Sequence, residues 1–160
     1  MRVSQLDDPE WLGAVLRERW GGELIVGRSR VRRLPELSAL VAWDGHERVG
    51  VATYVVEDGQ AELVTLDALR EGAGVGRLLI EAVAEAARSR GATRLLVMTT
   101  NDNLRALRLY QRAGFRLCEL RAGAVEQARR LKPSIPELGS DGIPIRDEID
   151  LVRALTPPAT

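Results

Sequence analysis

The sequence predicts a mixed α/β sheet in which an antiparallel three-strand meander is followed by a helix, a strand, a helix and a strand. Three observations predict it. Between residues 39 and 69, apolar residues come in strand-length runs separated by Asp44-Gly45 and Asp58-Gly59, dipeptides suited to two-residue hairpin turns. From Val75 the apolar residues recur three and four apart, the period of a helix. The run Arg-Leu-Leu-Val-Met-Thr-Thr that begins at Arg94 is short and almost continuously apolar, as a strand covered on both faces is.

In order along the chain, Asp7-Asp8-Pro9 is a helix-start signal, and Trp11, Leu12, Val15, Leu16 and Trp20 continue at helical spacing until Gly21-Gly22. Strands are expected at 24–26, 39–43, 49–57 and 61–69, the last three forming the meander. Val75, Leu78, Leu79, Ala82, Val83 and Ala86 mark the apolar face of a helix that ends before Gly91. After the strand from Arg94 to Thr100, Asn101-Asp102-Asn103 offers capping side chains for a helix with Ala106, Leu109, Tyr110 and Ala113 on one face and Gly114 behind it. Residues 115–120 read as another strand, 124–131 as a short helix, and 145–152 as a final strand reached through a loop rich in proline and glycine. One domain over residues 1–155 with a frayed tail at 156–160 is expected, since 160 residues suit a single core.

Composition narrows the function. Lysine plus arginine and aspartate plus glutamate number 23 each, so no charge excess is available to neutralise a nucleic-acid backbone, and aromatics make up only 4%. Nucleic-acid binding is disfavoured. Cys118 is the single cysteine and His46 the single histidine, in what reads as a solvated hairpin turn; no set of metal ligands is visible. No apolar stretch approaches the roughly 20 residues that cross a bilayer, and the first residues lack an apolar signal core, so a cytoplasmic protein is expected.

The segment Glu71-Gly72-Ala73-Gly74-Val75-Gly76 lies between a strand and a helix. Amides at a helix start are unpaired and carry the positive end of the macrodipole, and glycines let a phosphate approach them; a tight strand-to-helix turn is the alternative. It is neither a Walker loop, since no Lys-Ser or Lys-Thr follows, nor a dinucleotide fingerprint, since Arg77 stands where a third spaced glycine belongs.

Together with Asn-Leu-Arg-Ala-Leu-Arg-Leu-Tyr-Gln-Arg-Ala-Gly-Phe from Asn103 to Phe115, about 30 residues downstream, this loop resembles the GNAT family, the N-acetyltransferases that use acetyl-coenzyme A. Glu71 stands where that family usually has glutamine or arginine. The resemblance implies the family's fold, with the strand at 61–69 and the strand from Arg94 splayed apart. Pantetheine would lie between them and pair with the backbone of Leu66, Asp67, Ala68 and Leu69. The amides of Gly72, Ala73, Gly74, Val75, Gly76 and Arg77 would hold the pyrophosphate, and Asn103, otherwise a helix cap, would bond the cofactor arm.

The resemblance also implies a chemistry that needs no metal. An alkyl ammonium must lose a proton before it attacks a thioester, and Glu62 stands where several family members carry a base. Its alternative is a solvated strand-end glutamate, and Asp67 is the second candidate. A backbone N–H near Leu66 or Asp67 would stabilise the oxyanion. Tyr110 matches the tyrosine that protonates the departing thiolate; otherwise it is a core aromatic. A coenzyme A-binding sensor or scaffold, which needs neither Glu62 nor Tyr110, is the alternative function, and an unrelated nucleotide-binding enzyme is the third. The expected partners are acetyl-coenzyme A and an amine acceptor of unread identity, and the last strand permits a homodimer by pairing or swapping across a two-fold axis.

Overall fold

The computed structural model describes residues 1–33 and 36–156. Residues 157–160 of the expected tail lie outside the described residues. The strands are β1 (Arg2–Gln5), β2 (Leu24–Gly27), β3 (Arg30–Arg33), β4 (Ser38–Asp44), β5 (Glu47–Glu57), β6 (Gln60–Ala68), β7 (Arg94–Thr100), β8 (Arg116–Arg121) and β9 (Glu148–Ala154). The helices are α1 (Pro9–Trp20), α2 (Val75–Ser89), α3 (Leu104–Arg112) and α4 (Ala124–Leu131). The larger sheet has the order β1-β4-β5-β6-β7-β9-β8, and β2 and β3 form a separate antiparallel pair. Among the described residues no helix is long and apolar enough to cross a membrane, and no group of three or more potential ligands is placed to hold a metal.

The described residues divide into two compact units. The first, residues 1–9, 37–97 and 153–156 of those described, contains the predicted meander: β4, β5 and β6 pair antiparallel in succession. The Asp58-Gly59 turn has positive φ at both residues, 51° and 75°, as the tight hairpin turn requires. Strand β1 adds to the meander against β4; its four residues, Arg-Val-Ser-Gln, carry too little alternation to be seen in the sequence. Helix α2 covers the sheet with Val75, Leu79, Ile80, Val83 and Ala87 fully buried. Gly50 of β5 makes that approach fit, because a Cβ there would lie 2.4 Å from Val75 Cγ1 and 3.0 Å from Leu79 Cδ1.

The second unit, residues 10–36 and 98–152, holds α1 from Glu10 onward, the β2–β3 hairpin, α3, β8, α4 and most of β9. Its strands β8 and β9 pair antiparallel. The final strand starts at Glu148 rather than 145, because Ile145 and Asp147 belong to the connection: Ile145 N–H bonds Glu137 O, and Asp147 N–H bonds Asn101 Oδ1. The last strand is also interior to the sheet order, between β7 and β8, so the strand with an open edge at that end is β8. This corrects the edge-pairing route to a homodimer through the last strand.

Candidate active site

The sheet opens where the expected cosubstrate arm would enter. Strands β6 and β7 pair in parallel from Gln60↔Arg94 to Leu63↔Val97, and their register ends there while β6 continues to Ala68 on its pairing with β5 alone. At the same point β6 bulges. The register with β5 passes from Thr53↔Thr65 to Tyr54↔Leu63, which leaves Val64 as the extra residue.

The bulge decides which way the candidate bases point. Strict alternation would put residues 62 and 67 on opposite faces of a strand. Residues directly opposite each other share a face, and Glu62 faces Val55, Thr65 faces Thr53 and Asp67 faces Val51. All three therefore lie on one face of β6, whereas Leu66 and Ala68 share the face of Ala52 and Gly50, toward α2. Glu62 is half-buried and Asp67 is buried. The Thr53 and Thr65 hydroxyls share a buried hydrogen bond of 2.6 Å, and Thr53 Oγ1 also accepts from Thr65 N–H at 3.1 Å, which fixes the bulge from the side-chain direction.

Beyond β6, Leu69 N–H bonds Val49 O at 2.8 Å, and the Arg70 guanidinium pairs with Asp44 and with Glu47, the latter at 2.6 Å. The two carboxylates raise the pKa of Arg70, Asp44 through its hydrogen bond first. The loop is thereby tied to the β4–β5 hairpin at its start. Gly72 and Gly74 then adopt φ of 71° and 76°, and each would carry a Cβ into open space, with nothing within 4 Å. Gly74 is the N-cap of α2 with no side chain to cap it, and the first helical bond runs from Leu78 N–H to Gly74 O. The amides of the turn before Leu78 stand outside the helical ladder, so a helix start open to an anion sits directly behind the β6 edge. These residues fit a pyrophosphate. Arg77 is exposed and pairs with Glu81 at 3.5 Å, and Glu71 is exposed.

Glu62, Leu66 to Leu69 and Gly72 to Arg77 thus form one continuous run of the first unit. Asn103 and Tyr110 belong to the second. Asn103 caps α3, its Oδ1 accepting from Ala106 N–H at 3.1 Å. Tyr110, 7% exposed, meets Phe115 edge to face at 5.6 Å between ring centres. The neighbouring Asn101 and Asp102 do other work than capping: Asn101 Oδ1 accepts from Arg146 and Asp147 N–H, and the buried Asp102 carboxylate accepts from Ser140 N–H and Thr100 Oγ1. His46 lies exposed in the β4–β5 turn, and Cys118 is exposed on β8.

Sequence reasoning missed a second polar group. Glu148 and Asp150, 3% and 1% exposed, lie two apart on β9 and are held by Arg121 and by Arg28 at the tip of the β2–β3 hairpin. Arg121 bonds Asp150 at 2.7 and 2.8 Å and Glu148 at 3.1 Å, and the carboxylates, Asp150 foremost, drive its pKa further up. The available signals were Arg28, Arg30, Arg32 and Arg33 crowded into six residues of a chain with zero net charge, and two acids at strand spacing in a late apolar run.

A strand that leaves its parallel neighbour half-way, a bulge at that point and an uncapped helix start behind it define an acyl-coenzyme A-binding transferase fold. The model of the acetyltransferase (GNAT) family matches residues 4–115, and the chain belongs to that family. As such it is an acetyl-CoA-dependent N-acetyltransferase. Among its relatives, the uncharacterized protein YxbD of Bacillus subtilis is 39% identical over 145 residues, 90% of this chain and 91% of that one. The fold is similar to that of the IAA acetyltransferase from Bacillus cereus, with a TM-score of 0.79 at 22% identity over 96% of this chain and 99% of that one. It is similar also to a Bacillus subtilis acetyltransferase solved in complex with CoA, with a TM-score of 0.72 at 21% identity over 97% and 99% of the two chains.

Proposed function

We propose that the protein passes an acetyl group directly from acetyl-CoA to a primary amine, with the run from Glu62 to Arg77 as the cosubstrate and base side of the reaction. The observation that supports this best is the uncapped start of α2 behind a β6 edge released from β7. The backbone of Leu66, Asp67, Ala68 and Leu69 pairs with the pantetheine arm. The amides from Gly72 to Arg77 take the pyrophosphate, and Asn103, whose Oδ1 caps α3, uses its side-chain amide on the cofactor arm.

Glu62 takes the proton from the attacking ammonium, directly or through water, with Asp67 on the same face as the second candidate. A backbone N–H at Leu66 or Asp67 stabilises the oxyanion. Tyr110 gives its hydroxyl proton to the departing thiolate, so the nitrogen–carbon bond forms and the thioester carbon–sulfur bond breaks without a covalent enzyme intermediate. The reaction is placed in the cytoplasm, where acetyl-CoA is supplied. Self-association, where it occurs, uses the β8 edge, on which Leu117 and Leu120 are 54% and 65% exposed.

The test is Glu62→Gln and Tyr110→Phe, each assayed for acetyl-CoA binding by calorimetry and for turnover by thiol release with an amine panel. Binding should stay within about twofold, while kcat falls about 10²-fold or more for Glu62→Gln, the size of a general-base contribution. Tight acetyl-CoA binding with no turnover of any amine by the unaltered protein would make it a coenzyme A sensor instead.

A further inference from the structure

The bulge on β6 turns side chains, and it also sets which main-chain groups of that strand face its released edge. Across an antiparallel pair, opposed residues alternate between exchanging main-chain bonds and pointing those groups outward. Leu69 N–H bonds Val49 O at 2.8 Å, which makes Val49 and Leu69 a bonded pair and fixes the phase. By alternation Val51↔Asp67 and Thr53↔Thr65 bond across the ladder, while Ala52↔Leu66 and Gly50↔Ala68 do not. The main-chain N–H and C=O of Leu66 and Ala68 therefore point away from β5, to the edge that β7 leaves after Leu63. Without the extra residue at Val64 the phase would reverse, and Thr65 and Asp67 would face that edge instead.

Such a bulge brings a surplus donor. Val64 and Thr65 both stand against Thr53, so two N–H groups meet the main-chain carbonyl of one residue. Thr53 adds an acceptor from its side chain: Oγ1 accepts from Thr65 N–H at 3.1 Å and shares the 2.6 Å hydrogen bond with the Thr65 hydroxyl. The two threonines are 0% and 1% exposed. On the same face β5 carries valine on either side, at Val51 and Val55. Valine has the shape of threonine without the oxygen, and an apolar side chain is the ordinary occupant of so buried a place. The hydroxyl in that row stands where the bulge needs an acceptor.

We propose that Thr53 is a positioning residue for the acetyl transfer: its hydroxyl holds the β6 bulge, and so presents the main chain of Leu66 and Ala68, rather than of Thr65 and Asp67, to the pantetheine arm and the thioester. The inference rests on the acetyltransferase reading and narrows it, because Leu66 N–H and not Asp67 N–H is then the oxyanion donor. Thr53 acts through the backbone opposite it, without touching the cosubstrate.

The experiment is amide hydrogen exchange read by NMR along β6, without ligand and with saturating acetyl-CoA, in the unaltered protein, Thr53→Val and Thr53→Ser. In the unaltered protein the Thr65, Asp67 and Leu69 amides should exchange at least tenfold more slowly than those of Leu66 and Ala68. Acetyl-CoA should then slow Leu66 and Ala68 tenfold or more. Thr53→Val keeps the shape and loses the acceptor, so the difference between the two sets should vanish or invert and acetyl-CoA affinity should fall tenfold or more. Thr53→Ser keeps the acceptor and should retain the pattern, with affinity within about threefold. A role in stability alone would speed all five amides together and leave their order unchanged. Should Thr53→Val not fold, Thr53→Cys, whose sulfur is a weak acceptor, is set against Thr53→Ser in the same way. An unchanged order in the valine or cysteine variant would overturn the inference, as would Leu66 and Ala68 amides as protected as their neighbours in the unaltered, ligand-free protein. The ligand-free pattern tests Thr53 and the bulge by themselves. That pattern in a protein which binds no acetyl-CoA would sink the acetyltransferase reading, and the positioning role with it, while the bulge's dependence on Thr53 would stand.

Discussion

Gly50 and Gly74 show how different two glycines are. A Cβ on Gly50 would strike Val75 Cγ1 at 2.4 Å and the Asp67 carbonyl oxygen at 3.0 Å, so Gly50→Ala must push α2 off the sheet or distort β6. Overpacking of that kind costs about 1–3 kcal/mol, measurable by urea unfolding, and acetyl-CoA affinity should weaken with it because the displaced helix start is the proposed phosphate site. Gly74 has open space around its missing Cβ and a φ of 76°. Gly74→Ala therefore carries only the backbone penalty, about 1–2 kcal/mol. Lys132, the single lysine, gives a pH signature: burial lowers its pKa below the ordinary 10.5. Between the lowered value and 10.5 the unfolded chain binds more protons than the folded one, so this group makes stability rise with pH through that window. Lys132→Met should abolish the rise and leave the Trp20 and Leu24 carbonyls without their ammonium donor. The loss should be about 1–3 kcal/mol at neutral pH, checked by denaturant titrations at pH 7 and above.

At the scale of elements, the β8–β9 pair carries its own test. Arg121 stands opposite Glu148 and bonds both Glu148 and Asp150, whose side chains are 4% and 2% exposed. Arg121→Met strands two buried carboxylates and should destabilise by about 3–5 kcal/mol, much of which returns in the triple variant that adds Glu148→Gln and Asp150→Asn. A single variant as stable as the unaltered protein would mean that Arg28, bonded to both carboxylates, suffices alone. None of this was legible in the sequence, because Arg28 and Asp150 are 122 residues apart and nothing local announces their meeting. What was legible is chemistry that acts within a few residues: the Asp58-Gly59 turn, the cap at Asn103, and α2 beginning at Val75 behind its glycines. Strands β1 and β3 escaped because four residues such as Arg-Val-Arg-Arg have no apolar face to read and are strands only through their partners. The position of the bulge, at Val64, escaped for the same reason, and with it the fact that Glu62 and Asp67 share a face.

For the whole molecule the open property is cooperativity. Strand β7 begins in the first compact unit and ends in the second, and β9 runs the other way, from Glu148 in the second to Ala154 in the first. Residues of each of these strands are divided between the two units, so the expected outcome is one melting step. The tryptophans report on it separately, since Trp43 lies in the first unit and Trp11 and Trp20 lie in the second. Trp43→Phe leaves the second unit's reporters, and Trp11→Phe with Trp20→Phe leaves the first unit's. Their fluorescence midpoints, each compared with the circular-dichroism midpoint of the same variant, should coincide. Acetyl-CoA at about 100 times its dissociation constant stabilises the folded state by about 2.7 kcal/mol, or roughly 5–11 °C for a chain of this length. Although the proposed phosphate amides all lie in the first unit, that shift should appear equally at the second unit's tryptophans. Two separated midpoints, with only the Trp43 signal moved by acetyl-CoA, would show two folding units and confine the cosubstrate's grip to the strand-loop-helix run from Glu62 to Arg77.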